Sequence, residues 1–145
     1  MRNIAETMTK ECITISPMDS LADAAVLMRE HDTGFLPVVE GNKLVGVVTD
    51  RDMVTRGLAK QLQGSASVKE VMSDDLTTVK PNASVDEAVS LMASRQIRRL
   101  PVVENGELKG IIALGDLAVQ QVFVSEAGDA LSGISEHEHR ESTYH

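Results

Sequence analysis

With 145 residues, 42% of them hydrophobic and 25% charged, the chain can bury roughly 70% of its extended surface, while two Phe and one Tyr are too few to build stacking platforms for single-stranded nucleic acid. The formal net charge of -8 opposes the phosphate backbone, so no nucleic-acid partner is expected. A single cysteine, Cys12, excludes an intrachain disulfide, and with neither a leader-like start nor an apolar run near 18 residues, a soluble cytoplasmic protein with no membrane partner is the expectation.

Residues 4–8 read as a short helical turn, and residues 12–15 as a strand that Pro17 stops, because proline cannot continue a ladder. Ser20 is the expected N-cap of a helix, with Asp23 as the capping-box acid. Leu21, Ala24, Ala25, Leu27, Met28 and His31 mark one face at helical spacing, and Gly34 is the expected helix terminator or tight-turn glycine. Residues 35–40 and 43–48 are two strands joined by the two-residue turn Gly41-Asn42, an antiparallel hairpin. Thr49 then caps a helix over residues 50–59, with Asp52 completing its capping box.

Residues 60–66 form a polar linker, after which the pattern recurs. A short helix at 68–72 precedes a strand at 76–79, Pro81 and a helix at 84–95, with Val85, Ala88, Val89, Leu91 and Met92 facing inward. Strands at 99–103 and 107–113 flank the turn Asn105-Gly106, and a last helix starts near Leu114. The remaining residues, 126–145, read as a surface tail.

The recurrence is an ungapped internal repeat. Met8 aligns with Met72, Pro17 with Pro81, Ser20 with Ser84, Gly46 with Gly110 and Asp52 with Asp116, and the run Leu-Pro-Val-Val-Glu occurs at both 36–40 and 100–104. Two copies of so long a unit point to a pair of small domains, residues 1–62 and 63–125, that cover each other's apolar faces about a pseudo-two-fold axis. Each unit is strand, helix, strand, strand, helix, its leading short helix contributing to the neighbouring unit or to a dimer.

The doubled unit, with its Leu-Pro-Val-Val-Glu strands and the run Leu44-Val45-Gly46-Val47-Val48-Thr49-Asp50-Arg51-Asp52, resembles the cystathionine-beta-synthase (CBS) domain pair, or Bateman module, over residues 4–124. The resemblance is closest to small stand-alone bacterial and archaeal proteins of that family. It implies an α/β fold of tandem CBS domains, each β-α-β-β-α. It also implies a homodimer, no catalytic activity, no required cofactor, and an adenosine-containing ligand (AMP, ADP, ATP or S-adenosylmethionine) in a cleft between the units. Any output then passes through a separate regulated protein, or the pair serves as a ligand-free dimerisation scaffold.

Carried onto matching positions, the family pattern places phosphate and ribose contacts at Gly46, Thr49 and Asp52. Physical chemistry adds free N–H groups at the helix start, the Thr49 hydroxyl, the Arg51 fork and the Asp52 acceptor for ribose hydroxyls. Thr49 and Asp52 also suffice as a capping box with no ligand. Thr14 and Ile15, with Gly34, Phe35 and Pro37 opposite, are expected to read an adenine. The second copy keeps Asp116 but has Ala113 for the threonine and Gly115 for the arginine, with Thr78, Arg98 and Arg99 nearby, so its site is expected to be weaker or empty. Cys12 is expected to be a small buried residue, and His31 either a buried residue or a surface one at the helix end, near its C-terminal dipole. The metal-capable His137-Glu138-His139 run lacks the facing geometry of a site.

Overall fold

The computed structural model describes residues 3–117. Strands β1 (Phe35–Glu40) and β2 (Lys43–Thr49) form one hairpin, β3 (Arg99–Glu104) and β4 (Glu107–Ala113) the other. The two join through β2 and β4 into a single sheet of order β1-β2-β4-β3, with Lys43 opposite Glu107. Helix α1 (Leu21–Glu30) precedes the first hairpin, and α3 (Val85–Arg95) precedes the second. The helical turn α2 (Asp50–Asp52) follows β2, and residues 114–117 begin the matching helix after β4.

The repeat is reproduced in detail. Both hairpins carry a register shift at the same place, between Val38 and Val39 and between Val102 and Val103. The Asn105-Gly106 turn has both residues at positive φ, 55° and 81°, which matches the right-handed twist of the flanking strands. Ser20 and Asp23 form the reciprocal capping box expected of α1. Among the described residues every buried side chain is apolar, and all the buried hydrophobic ones except Leu44 fall into two clusters, one per half.

The halves are stitched together by exchange. Ile4, in the short 3-10 turn Ile4–Glu6, is fully buried in the core of the second half, beside Ala88, Met92 and Ile112. Its backbone N–H donates to Ala83 O at 2.8 Å. Val68, in the turn Val68–Glu70, is buried with Leu21, Leu36 and Val48 in the first half. The short leading helices therefore pack in the neighbouring half, one of the two placements the sequence left open. Residues 60–66 are likewise not a loose tether: Ala66 O and Gly64 O accept from the N–H groups of Leu21 and Ala22, satisfying orphan donors at the start of α1.

Several expectations are corrected. The strands expected at 12–15 and 76–79 reduce to single parallel bridges, Ile15 with Val38 and Val79 with Val102. Beyond Ile15 the ladder stops because the next residue facing β1 is Pro17, which has no N–H to donate. Ala25 is exposed rather than inward, and His31 takes the second of its two expected placements, exposed as the C-cap of α1. Gly34 does not terminate that helix, since the left-handed residue is Asp32, at φ 49°. The helix expected over 50–59 starts as α2, widens to a π turn over Met53–Gly57 and tightens to 3-10 over Leu58–Lys60. The Thr55 hydroxyl donates to Arg51 O at 2.9 Å within that stretch, a bond that competes with the regular ladder.

Candidate functional site

Three separate stretches of the first half are joined through β1: residues 14–15 flank its outer side, and the end of β2 pairs with its inner side. Ile15 N–H donates to Pro37 O at 3.1 Å, and Val39 N–H donates to Ile15 O at 2.9 Å, which fixes Thr14 and Ile15 alongside β1. Phe35 pairs with Thr49 across the hairpin, and Asp50 N–H donates to Gly34 O at 2.9 Å. Thr14, Ile15, Gly34, Phe35, Pro37, Thr49, Arg51 and Asp52 thus lie on adjoining backbone.

Thr49 and Asp52 hold each other as a capping box. Asp52 N–H donates to Thr49 Oγ1 at 3.1 Å, and Thr49 N–H donates to Asp52 Oδ2 at 3.0 Å. The Thr49 hydroxyl proton and the second Asp52 oxygen are not consumed by this pair. Arg51 is exposed, and its guanidinium forms no ion pair with an acid among the described residues.

One part of the expected site is absent. The sequence suggests free N–H groups at this helix start, but Asp50 N–H is taken by Gly34 O, Arg51 N–H by Asp50 Oδ1 at 2.8 Å and Asp52 N–H by Thr49 Oγ1. A phosphate at this place has to be met by side chains. Gly46 also has a different role: a Cβ there would lie 2.9 Å from both Met72 Sδ and Ser73 O, so the glycine permits close packing of the crossing chain.

Two contacts here were not anticipated from sequence. The Asp50 carboxylate lies over Gly34, where a Cβ would come within 2.7 Å of Oδ2. Thr33 accepts from Phe35 N–H at 3.3 Å and donates to Phe35 O at 3.1 Å, pinning the start of β1. Gly34 itself was the available signal, since a glycine outside a positive-φ turn implies close approach.

The second half builds the same frame at the opposite edge. Val79 N–H donates to Pro101 O at 3.1 Å, Arg99 pairs with Ala113, and Leu114 N–H donates to Arg98 O at 2.7 Å. Thr78 is half-buried there, and Arg99 and Asp116 are exposed. Ala113 has no hydroxyl to cap Asp116, so the frame is kept and the reciprocal box is lost.

Cys12 is half-buried, donates to Thr9 O at 3.6 Å, and burial pushes its thiol pKa up, the reverse of an activated nucleophile. No cluster of metal-ligating residues occurs among the described residues, and His137, Glu138 and His139 lie outside them. No helix among the described residues is long and apolar enough to cross a membrane.

Comparison with known proteins agrees with this doubled frame. The CBS domain family model matches residues 2–58 and again 68–120. The CBS domain-containing protein YhcV of Bacillus subtilis is 47% identical over 135 residues, covering 93% of this chain and 96% of its own length. The crystal structure of CBSX2 in complex with AMP superposes with a TM-score of 0.78 at 26% identity, over 87% of this chain and 100% of that one. The CBS domain pair of protein MJ0100, in complex with 5′-methylthioadenosine and S-adenosyl-L-methionine, gives 0.73 at 26% identity, over 87% and 98%.

Proposed function

The chain belongs to the CBS-domain family as a tandem pair, and on that premise we propose that it is a cytoplasmic regulatory module that senses an adenosine-containing small molecule and has no catalytic activity of its own. The observation that carries this reading is that β1 joins residues 14–15, bridged to its outer side, to the capped turn of residues 49–52, paired through Phe35 and Thr49 on its inner side. The similar pairs that bind AMP or S-adenosyl-L-methionine supply the ligand class, here AMP, ADP, ATP or S-adenosylmethionine. Asp52 receives the ribose hydroxyls on its remaining oxygen, Thr49 donates its hydroxyl proton, and Arg51 brings the positive charge. Thr14 and Ile15, with Gly34, Phe35 and Pro37, enclose the base. Thr78, Arg99 and Asp116 form the second, weaker site. The output is a change in a homodimer or in a separate regulated protein.

A second reading, a ligand-free dimerisation scaffold, draws on exposed apolar residues. Met18 is 76% exposed and Leu58 71%, with Val54 one helical turn before Leu58. A thermal-shift panel with AMP, ADP, ATP and S-adenosylmethionine separates the two. A ligand at a hundredfold excess over its Kd adds about 2.7 kcal/mol of stability, a rise of several degrees; a flat response to the whole panel leaves the scaffold.

A further inference from the structure

Every backbone donor at the start of the helix after β2 is already matched. Asp50 N–H reaches Gly34 O, Arg51 N–H reaches Asp50 Oδ1 and Asp52 N–H reaches Thr49 Oγ1. The positive end of the helix is therefore answered by a carboxylate of the chain itself. That carboxylate is held in place by more than one bond. It rests over Gly34, whose missing side chain leaves the room: a Cβ there would lie 2.7, 2.9 and 3.1 Å from Asp50 Oδ2, Cγ and Oδ1.

Residues 49–52 thus carry two carboxylates and one guanidinium, a formal charge of -1. On the proposed assignment of Asp52 to the ribose, the 5′ substituent is met by the other side chains of the same turn, Thr49, Asp50 and Arg51. Arg51 can neutralise one negative charge; each further charge meets Asp50. At the corresponding place in the second half Leu114 stands for Asp50, and Arg99 stands for Phe35. The repelling carboxylate is missing from that half.

We infer that Asp50 makes the first site selective for adenosine ligands with little negative charge at the 5′ position, a sulfonium or a single phosphate, and disfavours polyphosphates there. This rests on the reading of residues 49–52 as an adenosine site, and it names a residue that decides which ligand of that class is taken. Asp50 acts through charge at contact distance, with no requirement that it bond to the ligand.

The test is a magnesium-free NMR titration of the full chain with S-adenosylmethionine, AMP and ATP. The backbone amides of residues 49–52 report the first site and those of residues 113–116 the second. Asp50→Asn keeps an oxygen for the Arg51 N–H and removes the charge; Asp50→Ser does the same with a smaller acceptor. In the wild type, S-adenosylmethionine and AMP should move the first set at lower concentration than ATP. In either variant the ratio of the ATP Kd to the S-adenosylmethionine Kd at that set should fall by more than about fivefold, since one unit charge at contact distance in water is worth about fivefold and the two ligands differ by more than one. A wild type that takes ATP as tightly as S-adenosylmethionine there, or a ratio unchanged in both variants, overturns the selectivity alone. If no ligand moves residues 49–52 in any of the three proteins, the adenosine-site reading falls and the selectivity falls with it.

Discussion

Thr49 and Asp52 bond to each other twice, Asp52 N–H to Thr49 Oγ1 at 3.1 Å and Thr49 N–H to Asp52 Oδ2 at 3.0 Å. The two residues expected to meet a ligand are thus also the clamp that starts the following helix, and structural and binding roles have to be separated by the choice of substitution. Thr49→Ala removes the cap and should lower stability by about 1 kcal/mol, while Thr49→Ser should retain most of it. Urea denaturation with an unchanged m-value reads the difference.

Ile4 and Val68 stand at equivalent positions of the repeat, and each is fully buried in the other half. Ile4→Ala should cost about 2–5 kcal/mol through lost burial and the cavity left behind. Hydrogen exchange should place the loosening in β3, β4 and α3, far along the chain from the substitution. Loosening confined to β1 and β2 would contradict the exchange of short helices.

Gly46 and Gly110 are packed too closely to tolerate a side chain. A Cβ at Gly46 would meet Ser73 O at 2.9 Å, and one at Gly110 would meet Thr9 O at 2.8 Å, in both cases a backbone atom that cannot swing aside. Alanine at either position should cost about 1–3 kcal/mol. Gly64→Ala is the control, because its Cβ would find only Ala22 Cβ at an ordinary 3.5 Å. Thermal melts of the three variants should rank them accordingly.

The Cys12 thiol is raised by burial, so the folded chain holds that proton more tightly than the unfolded chain. The resulting stability is full below the ordinary thiol range and is lost as pH rises through the folded value. Iodoacetamide at neutral pH should therefore modify the native protein more slowly than the urea-unfolded protein, and the gap should narrow at alkaline pH. Equal rates at neutral pH would show that the thiol is not shielded.

Features that depend on neighbours in sequence were legible. The capping residues Ser20 with Asp23 and Thr49 with Asp52, the Gly41-Asn42 and Asn105-Gly106 turns and the two hairpins all follow from local chemistry, and the offset repeat implied two matching halves. What escaped depends on partners distant in the chain. Whether the Asp50 N–H is free is decided by Gly34 O, and the short strand ends at Ile15 and Val79 are decided by how much of β1 and β3 each segment can reach. Gly34 and Gly46 read as a terminator or turn glycine and as a ligand contact, yet both are glycines because another residue lies against them. The pitch change after Asp52 has no pattern in the apolar spacing that would reveal it.

The most direct test of adenosine binding at residues 49–52 is isothermal titration calorimetry of AMP and S-adenosylmethionine against wild type and Asp52→Asn. Asparagine keeps one oxygen to accept from Thr49 N–H, so the cap survives, while its amide NH2 replaces the oxygen assigned to the ribose. Measurable heat is expected with the wild type and at least a tenfold weaker Kd with the variant, at an unchanged melting temperature. Binding of equal strength to both proteins, or no heat from either ligand with the wild type, would contradict adenosine binding at these residues.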